Sequence, residues 1–323
     1  MISNKVKTAV KAMVAVLGLL LLVRLLRVTG WNNIVAAFRD HYWALIAITI
    51  VYTVYHLLRT WTLRICTPHR TSFKNLFNVR LAGEAVAYIA VGSVLGDTLK
   101  VVLARDRIPV VEGATGVFAE KLIYHLAGAA FIIGGLSIAV WKLGLSKWLV
   151  YFMLLCAGVF FGLLFLLSSG SRPVARIMKR FPVKRQRLRE AVLKIETALF
   201  QFRKEHPREF FITFVLDLLS YFYSTGEVLF VLYVFGLHPA FIDIWYFESM
   251  VKMSNAAATF VPANLGVFEA THLLVAKQLG LGGANGLIVA LFVRIRAVIW
   301  SLIGYSIFLW LLAKQKSEAE SKI

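Results

Sequence analysis

Two stretches decide how this chain folds: GSVLGDTLK at residues 92–100 and PANLGVFE at residues 262–269. Each lies in apolar sequence, and each combines a Leu-Gly break with a carboxylate, Asp97 in the first and Glu269 in the second. Broken backbone at membrane depth is stable only where protein or a water-filled cavity surrounds it, because unpaired N–H and C=O groups in hydrocarbon cost several kcal/mol each. The two stretches therefore predict a buried polar site.

The composition is typical of a membrane protein. Of the 323 residues, 59% are hydrophobic, and the mean hydropathy is +0.73. Because a crossing needs about 20 apolar residues, we predict about six full transmembrane helices, near residues 9–27, 43–65, 114–140, 148–169, 209–236 and 286–312. The predicted fold class is an all-α polytopic integral membrane protein, with residues 1–323 forming a single transmembrane domain.

The two remaining apolar segments, about 74–104 and 244–281, each contain one Gly break and are interpreted as re-entrant helical hairpins. Lys and Arg residues favour cytoplasmic loops, and most basic clusters of this chain fall on one side if both segments are re-entrant. The N- and C-termini are then cytoplasmic, and the two hairpins enter from opposite faces. Such inverted topology is typical of transporters. We expect a multi-pass protein of the cytoplasmic (inner) cell membrane.

The formal net charge of +19 is concentrated in one connecting segment. Residues 172–209 contain 12 Lys and Arg residues and 4 Glu residues. Apolar residues recur there at helical spacing, so segment 172–208 is predicted to be a cytoplasmic amphipathic segment that binds anionic inner-leaflet headgroups. The alternative is that its charges only fix the orientation of the chain. Nucleic-acid binding is not expected, because no aromatic-interleaved basic motif accompanies the charge.

Charged side chains inside predicted crossings are candidate substrate contacts, because ionised groups are costly in a bilayer. Arg294 and Lys121 are candidates to grip an anionic group such as a phosphate. Glu269, Glu120 and Asp97 are candidates to hold the hairpins or bind cations. The full set of predicted substrate-binding residues is Arg294, Lys121, Glu269, Glu120, Asp97, Lys100, Asn264 and Asp217.

Several of these residues also have a purely structural interpretation. Glu269 and Arg294 can form a salt bridge that locks the second hairpin to the last crossing. Asp97 and Lys100, three residues apart, can pair locally at a helix start. Other charged residues stand four apart and can neutralise each other within one helix; these pairs are Arg80 with Glu84 and Glu248 with Lys252.

An enzyme is not expected, and neither a metal nor another cofactor is predicted. The seven histidines show no metal-ligand spacing; His272 follows Glu269 by three residues, but the second such pair of a metal bundle is missing. The sequence contains no nucleophile elbow and no phosphate-binding glycine loop. The two cysteines, Cys66 and Cys156, support neither a disulfide framework nor a thiolate metal site.

Four motifs of the chain resemble those of one family, the transmembrane, flippase-like region of lysylphosphatidylglycerol synthases. The first matches a Pro-Gly-x-Leu-Gly-Glu segment followed by Arg, with Leu95, Gly96, Asp97 and Lys100 at the matching positions. Glu120-Lys121 matches a Glu-Arg pair. Pro262, Leu265, Gly266 and Glu269 match a Pro-Gly-Gly-Leu-Gly-x-Arg-Glu segment, from which Ala263, Asn264 and Phe268 depart, and Arg294 matches a later arginine.

This resemblance implies a protein that moves an amphipathic lipid between leaflets, with a phospholipid, a lipid-linked saccharide or a hopanoid as substrate. The chain is similar to a stand-alone member without the soluble aminoacyl-transfer domain. Membrane lipids are the implied partners, together with a second copy of the chain or a biosynthetic partner. Two alternatives are an integral membrane enzyme that acts on a lipid-linked group and a non-catalytic subunit of a lipid biosynthetic machine.

Overall fold

A computed structural model describes residues 19–67, 71–89, 94–143, 201–258 and 261–320, with isolated positions between 148 and 200. All regular elements in these ranges are helical, which confirms the all-α class. Residues 19–29 are helical. The helices that follow are α1 (Trp31–Cys66), α2 (Phe73–Ile89), α3 (Val94–Ala104), α4 (Val110–Leu143), α5 (Pro207–Val234), α6 (Phe241–Ala257), α7 (Val267–Gln278) and α8 (Gly283–Glu320).

Four helices of the described ranges are long and apolar enough to cross a membrane, at Trp31–Cys66, Val110–Ile138, Pro207–Val234 and Gly283–Gln315. They confirm a polytopic membrane protein and match four of the six predicted crossings. The predicted crossing at 148–169, most of that at 9–27 and most of the basic segment 172–208 lie outside the described residues.

The crossing predicted at 43–65 begins twelve residues before its predicted start. Gly30 adopts a left-handed conformation with φ 87°, and α1 starts directly after it, at Trp31. The helix then kinks at His41, where φ is −128° and ψ is 24°. Hydropathy locates the apolar part of a helix, whereas the end of the helix is set by local backbone geometry. The predicted start of the crossing therefore differs from the start of the helix in the structure.

The second broken segment contains a turn at the expected position. Helix α6 ends at Ala257, a single 3-10 turn covers Pro262–Asn264, and α7 begins at Val267. Three residues of this turn have left-handed backbone: Ala263 at φ 49°, Asn264 at φ 51° and Gly266 at φ 78°. Only glycine adopts this conformation routinely. The turn therefore stores backbone strain at two non-glycine positions.

The first broken segment consists of α2 and α3, and residues 90–93 between them lie outside the described residues. Helix α3 packs closely against α2 at Gly96. A Cβ atom added there would lie 2.6 Å from the Cβ atom of Ala87 and would clash with the carbonyl oxygen of Gly83. Gly96 is thus required for close helix packing.

The chain divides into two compact units. Unit 1 comprises Met1–Tyr55, Leu81–Asp97 and Phe222–Ile323, and unit 2 comprises His56–Arg80 and Thr98–Tyr221. Phe247 and Phe292 belong to the fully buried apolar side chains of unit 1, and Ile123 and Phe131 to those of unit 2. Each unit also buries several charged side chains, and these are its candidate functional residues.

Candidate functional site

In unit 1, a buried ion pair lies beside the broken backbone between α6 and α7. Arg294 of α8 pairs with Glu269 of α7, and their side chains are 14% and 0% exposed. Nη1 of Arg294 also donates a hydrogen bond to the carbonyl oxygen of Ala263 at 3.1 Å. The predicted salt bridge between Glu269 and Arg294 is confirmed, and Arg294 links α8 both to the turn and to α7.

The local sequence explains why Glu269 stands at this place. Gly266 precedes α7, and its N–H group donates to Glu269 Oε2 at 2.8 Å. A carboxylate in the first helical turn satisfies a free backbone donor and is stabilised by the positive end of the helix dipole. Asn264 is partly buried in the same turn and donates its backbone N–H to the carbonyl oxygen of Val261 at 3.0 Å.

A second buried ion pair of unit 1 joins α8 to α5. Nε and Nη2 of Arg296 lie 2.7 and 3.1 Å from the two carboxylate oxygens of Glu227. The guanidinium carbon also lies 3.6 Å from the ring centroid of Tyr52. Sequence reasoning did not select this pair as a site, although both residues are charged positions inside predicted crossings. The predicted pair of Glu248 and Lys252 is confirmed at 3.0 Å.

In unit 2, one arginine joins two of the predicted site residues. Arg59 of α1 contacts Glu120 of α4 through Nη2 and Asp217 of α5 through Nη1. The three side chains are between 0% and 6% exposed. The Arg59 guanidinium carbon lies 3.8 Å from the ring centroid of Tyr124. Sequence reasoning missed Arg59, although an arginine inside the predicted crossing 43–65 was a usable signal.

The remaining predicted residues lie on α3 and α4. Asp97 and Lys100 of α3 are buried, at 9% and 6% exposure, and Lys121 of α4 is partly buried. Lys100 lines a small void together with Leu76 and Val79. Two pairs of predicted site residues therefore lie close together in the structure. Glu269 contacts Arg294 in unit 1, and Glu120 and Asp217 both contact Arg59 in unit 2.

A cavity of about 440 Å³ opens in unit 2 where α1 ends and α4 and α5 begin. Its lining residues combine apolar, hydroxyl and acidic side chains: Ile65, Cys66, Thr67, Val111, Glu112, Thr115, Gln201, Phe202, Glu205, His206 and Glu209. Among the residues described, no group of three His, Cys, Asp or Glu side chains is arranged to hold a metal ion.

Comparison with known proteins places the chain in a family. No curated protein and no solved structure matches it. A family model described as "Lysylphosphatidylglycerol synthase TM region" matches residues 9–304 and so includes both broken segments and all the ion pairs described above. The chain therefore belongs to the family of the transmembrane region of lysylphosphatidylglycerol synthases and is a membrane protein linked to lipid metabolism or transport.

Proposed function

We propose that this protein moves an amphipathic lipid between the two membrane leaflets and is not an enzyme. The observation that carries the proposal is the buried Glu269–Arg294 pair at the backbone break of unit 1. Ionised residues within membrane proteins mark substrate pathways by default. A phospholipid, a lipid-linked saccharide or a hopanoid is the proposed substrate.

Helix lengths support re-entrant hairpins on both broken segments. Helix α7 has 12 residues and α3 has 11, so at 1.5 Å per residue they are about 18 and 16 Å long. The hydrocarbon core of a bilayer is about 30 Å thick, so neither helix can cross it alone. Each broken segment would therefore enter and leave on one face, with its turn inside the membrane.

The geometry of Arg294 supports a substrate-exchange mechanism. Its side chain is mostly buried but still 14% exposed, whereas Glu269 is fully buried and also held by the Gly266 N–H group. An incoming phosphate can replace Glu269 as the partner of Arg294, while Glu269 keeps its bond at the helix start. Because one anion replaces another, the guanidinium is never left unpaired in a low-dielectric site. Lys121 of unit 2 is also proposed to contact a phosphate. The other proposed substrate-binding residues are Asn264 and Asp97 of unit 1 and Glu120, Lys100 and Asp217 of unit 2.

The same proposal implies a cellular location, an energy source and a partner for the protein. The protein would reside in the cytoplasmic (inner) membrane with both termini in the cytoplasm, and segment 172–208 would bind anionic inner-leaflet headgroups. Its energy would come from an ion gradient, a lipid gradient or a partner protein. A second copy of the chain or a biosynthetic protein is the proposed partner.

Reconstitution into liposomes tests this function. Leaflet redistribution is measured with a panel of fluorescent lipids and a membrane-impermeant quencher, and the lipids are then analysed chemically. We expect the wild type to accelerate redistribution of at least one lipid and Arg294→Ala to slow it at least about tenfold, as expected for a lost charge-assisted contact. Arg39→Ala is the matched control, because the Arg39 side chain is 77% exposed.

Arg294→Lys keeps the positive charge and replaces Arg294→Ala in the redistribution assay if the alanine variant fails to fold. Equal redistribution rates in the wild type, Arg294→Lys and Arg294→Ala would contradict a role for Arg294. A chemically altered lipid would favour the membrane-enzyme alternative. Wild-type protein that neither moves nor alters any lipid would favour a non-catalytic subunit.

A further inference from the structure

His272 is a fully buried titratable side chain that the exchange mechanism does not use. It lies on α7 one turn after Glu269 and is 0% exposed. Its Nδ1 lies 2.8 Å from the carbonyl oxygen of Phe268, so Nδ1 carries the hydrogen and donates it. Nε2 is then the proton-free nitrogen, and it is buried without a hydrogen-bond partner. Buried polar atoms nearly always have partners, so this bare acceptor calls for an explanation.

The surroundings of His272 combine aromatic rings with charged groups. Its ring centroid lies 5.2 Å from that of Phe247 and 4.2 Å from that of Phe268. The charged side chains that act on it from the neighbouring helices are Glu248 and Lys252 of α6 and Arg294 of α8, and Glu269 precedes it on its own helix. A proton on Nε2 would therefore be attracted by Glu248 and repelled by Arg294.

Phe268 connects His272 to the ion pair at the turn. Its ring contacts the His272 imidazole and also lies 5.1 Å from the guanidinium carbon of Arg294. The ring attracts a nearby cation through its quadrupole. A second cation on the imidazole would repel the guanidinium already held at this ring, so a charge on His272 acts directly on the position of Arg294.

We propose that His272 is a proton-binding site that couples lipid movement to proton uptake. This inference rests on the proposed function. When the site opens to water, Nε2 of the neutral imidazole takes a proton from solvent and the ring becomes an imidazolium. The new charge is drawn towards Glu248 and weakens the hold of Glu269 and Phe268 on Arg294, which frees the guanidinium for an anionic headgroup. Loss of the proton restores the neutral imidazole and the closed ion pair.

The first test measures lipid redistribution against pH. The full chain is reconstituted in phosphatidylcholine liposomes, with fluorescent phosphatidylglycerol as the probe, and compared between pH 7.5 and pH 5.5. We expect the wild-type rate to rise at least fivefold on acidification and the rate of His272→Asn to change less than twofold. Asparagine can keep the bond to the Phe268 carbonyl but has no atom equivalent to Nε2. His206→Asn is the matched control, because His206 is exposed, and it should keep the wild-type pH response.

The second test needs no lipid movement. Because His272 is buried in its neutral form, unfolding the protein at pH 5.5 adds a proton that the folded state lacks, so acid destabilises the fold. The unfolding midpoint of the wild type in detergent should fall about 3 °C more than that of His272→Asn when the pH drops from 7.5 to 5.5. His272→Gln replaces the asparagine variant if the latter does not fold.

The outcomes separate this inference from the proposed function. Lipid movement with the same pH response in His272→Asn and wild type would overturn the proton site and leave the transport function standing. Absence of wild-type movement of every panel lipid at either pH would overturn the transport function and the coupling, and the unfolding midpoints would still decide whether the closed state holds His272 in its neutral form. Equal midpoint shifts in wild type and His272→Asn would mean that folded and unfolded His272 take up the same proton, which would overturn the neutral imidazole of the closed state.

Discussion

Arg59 is held by two carboxylates, Glu120 and Asp217, in the interior of unit 2. Removing one partner of a buried ion pair leaves an uncompensated charge and costs about 3–5 kcal/mol. Arg59→Gln should therefore lower the free energy of unfolding by about that amount, measured by thermal or chemical unfolding in detergent. The control is Arg39→Gln, which removes an exposed pair with Asp40 that is worth at most about 1 kcal/mol. Equal effects of the two substitutions would contradict the buried network.

Arg296 is a residue at which arginine and lysine are not interchangeable. Its guanidinium contacts both oxygens of Glu227 and lies over the ring of Tyr52, and an ammonium group cannot make the same planar two-point contact. We expect Arg296→Lys to lower the free energy of unfolding by about 1–2 kcal/mol. Lys252→Arg is the reverse control: Lys252 is 27% exposed and makes one contact with Glu248, so the change should be close to neutral. A smaller loss in Arg296→Lys than in Lys252→Arg would contradict the two-point contact.

At the scale of the element, the turn between α6 and α7 is strained. Ala263 has φ 49°, a conformation that costs a residue with a side chain about 1–2 kcal/mol. Ala263→Gly should raise the free energy of unfolding by up to about 1 kcal/mol, because the relieved strain is partly offset by the greater freedom of glycine in the unfolded chain. Gly266→Ala, at φ 78°, should have the opposite effect. The prediction fails if both variants shift the unfolding midpoint in the same direction.

The contact between α7 and α8 depends on Gly286. A Cβ atom at Gly286 would lie 2.5 Å from the Cβ atom of Ala276 and 2.9 Å from the carbonyl carbon of His272, so the helices would have to separate. Gly286→Ala should lower the free energy of unfolding by about 1–3 kcal/mol, as is usual for overpacking, and so lower the unfolding midpoint. It should also slow lipid redistribution. Gly226→Ala is the control, since a Cβ atom at Gly226 meets no atom within 4 Å. An unchanged unfolding midpoint in Gly286→Ala would contradict the close packing of α7 against α8.

Some turns and ion pairs can be predicted from the sequence because the residues that form them are close together in the chain. The turn at 262–266 and the pair of Glu248 with Lys252 depend on residues close in the chain, and both were predicted correctly. Arg59 and Asp217 are 158 residues apart, so no local pattern could join them. The pair of Glu227 and Arg296 was missed for the same reason. The salt bridge of Glu269 and Arg294 was predicted despite its sequence separation, because few charged residues lie near the broken segment.

At the scale of the whole molecule, the re-entrant topology can be tested by cysteine labelling. In a background without Cys66 and Cys156, His238→Cys and Lys277→Cys should both react with a membrane-impermeant reagent added outside the cell. Arg105→Cys should react only after the inner face is exposed. If the second broken segment is re-entrant, His238 before α6 and Lys277 in the last turn of α7 lie on one face. Labelling of His238→Cys and Lys277→Cys from opposite faces would contradict this topology.

Helix α8 carries two arginines with different partners: Arg294 holds the turn beside α7, and Arg296 holds α5. Two residues along a helix are about 200° apart around its axis, so rotation of α8 in place would pull both guanidinium groups from their carboxylates. A movement that keeps both ion pairs would instead be a small rigid-body tilt of α8. With 38 residues it is about 57 Å long, so a small angular change at the turn becomes a larger displacement near Lys314, where a spin label would record any tilt that accompanies the proposed lipid movement.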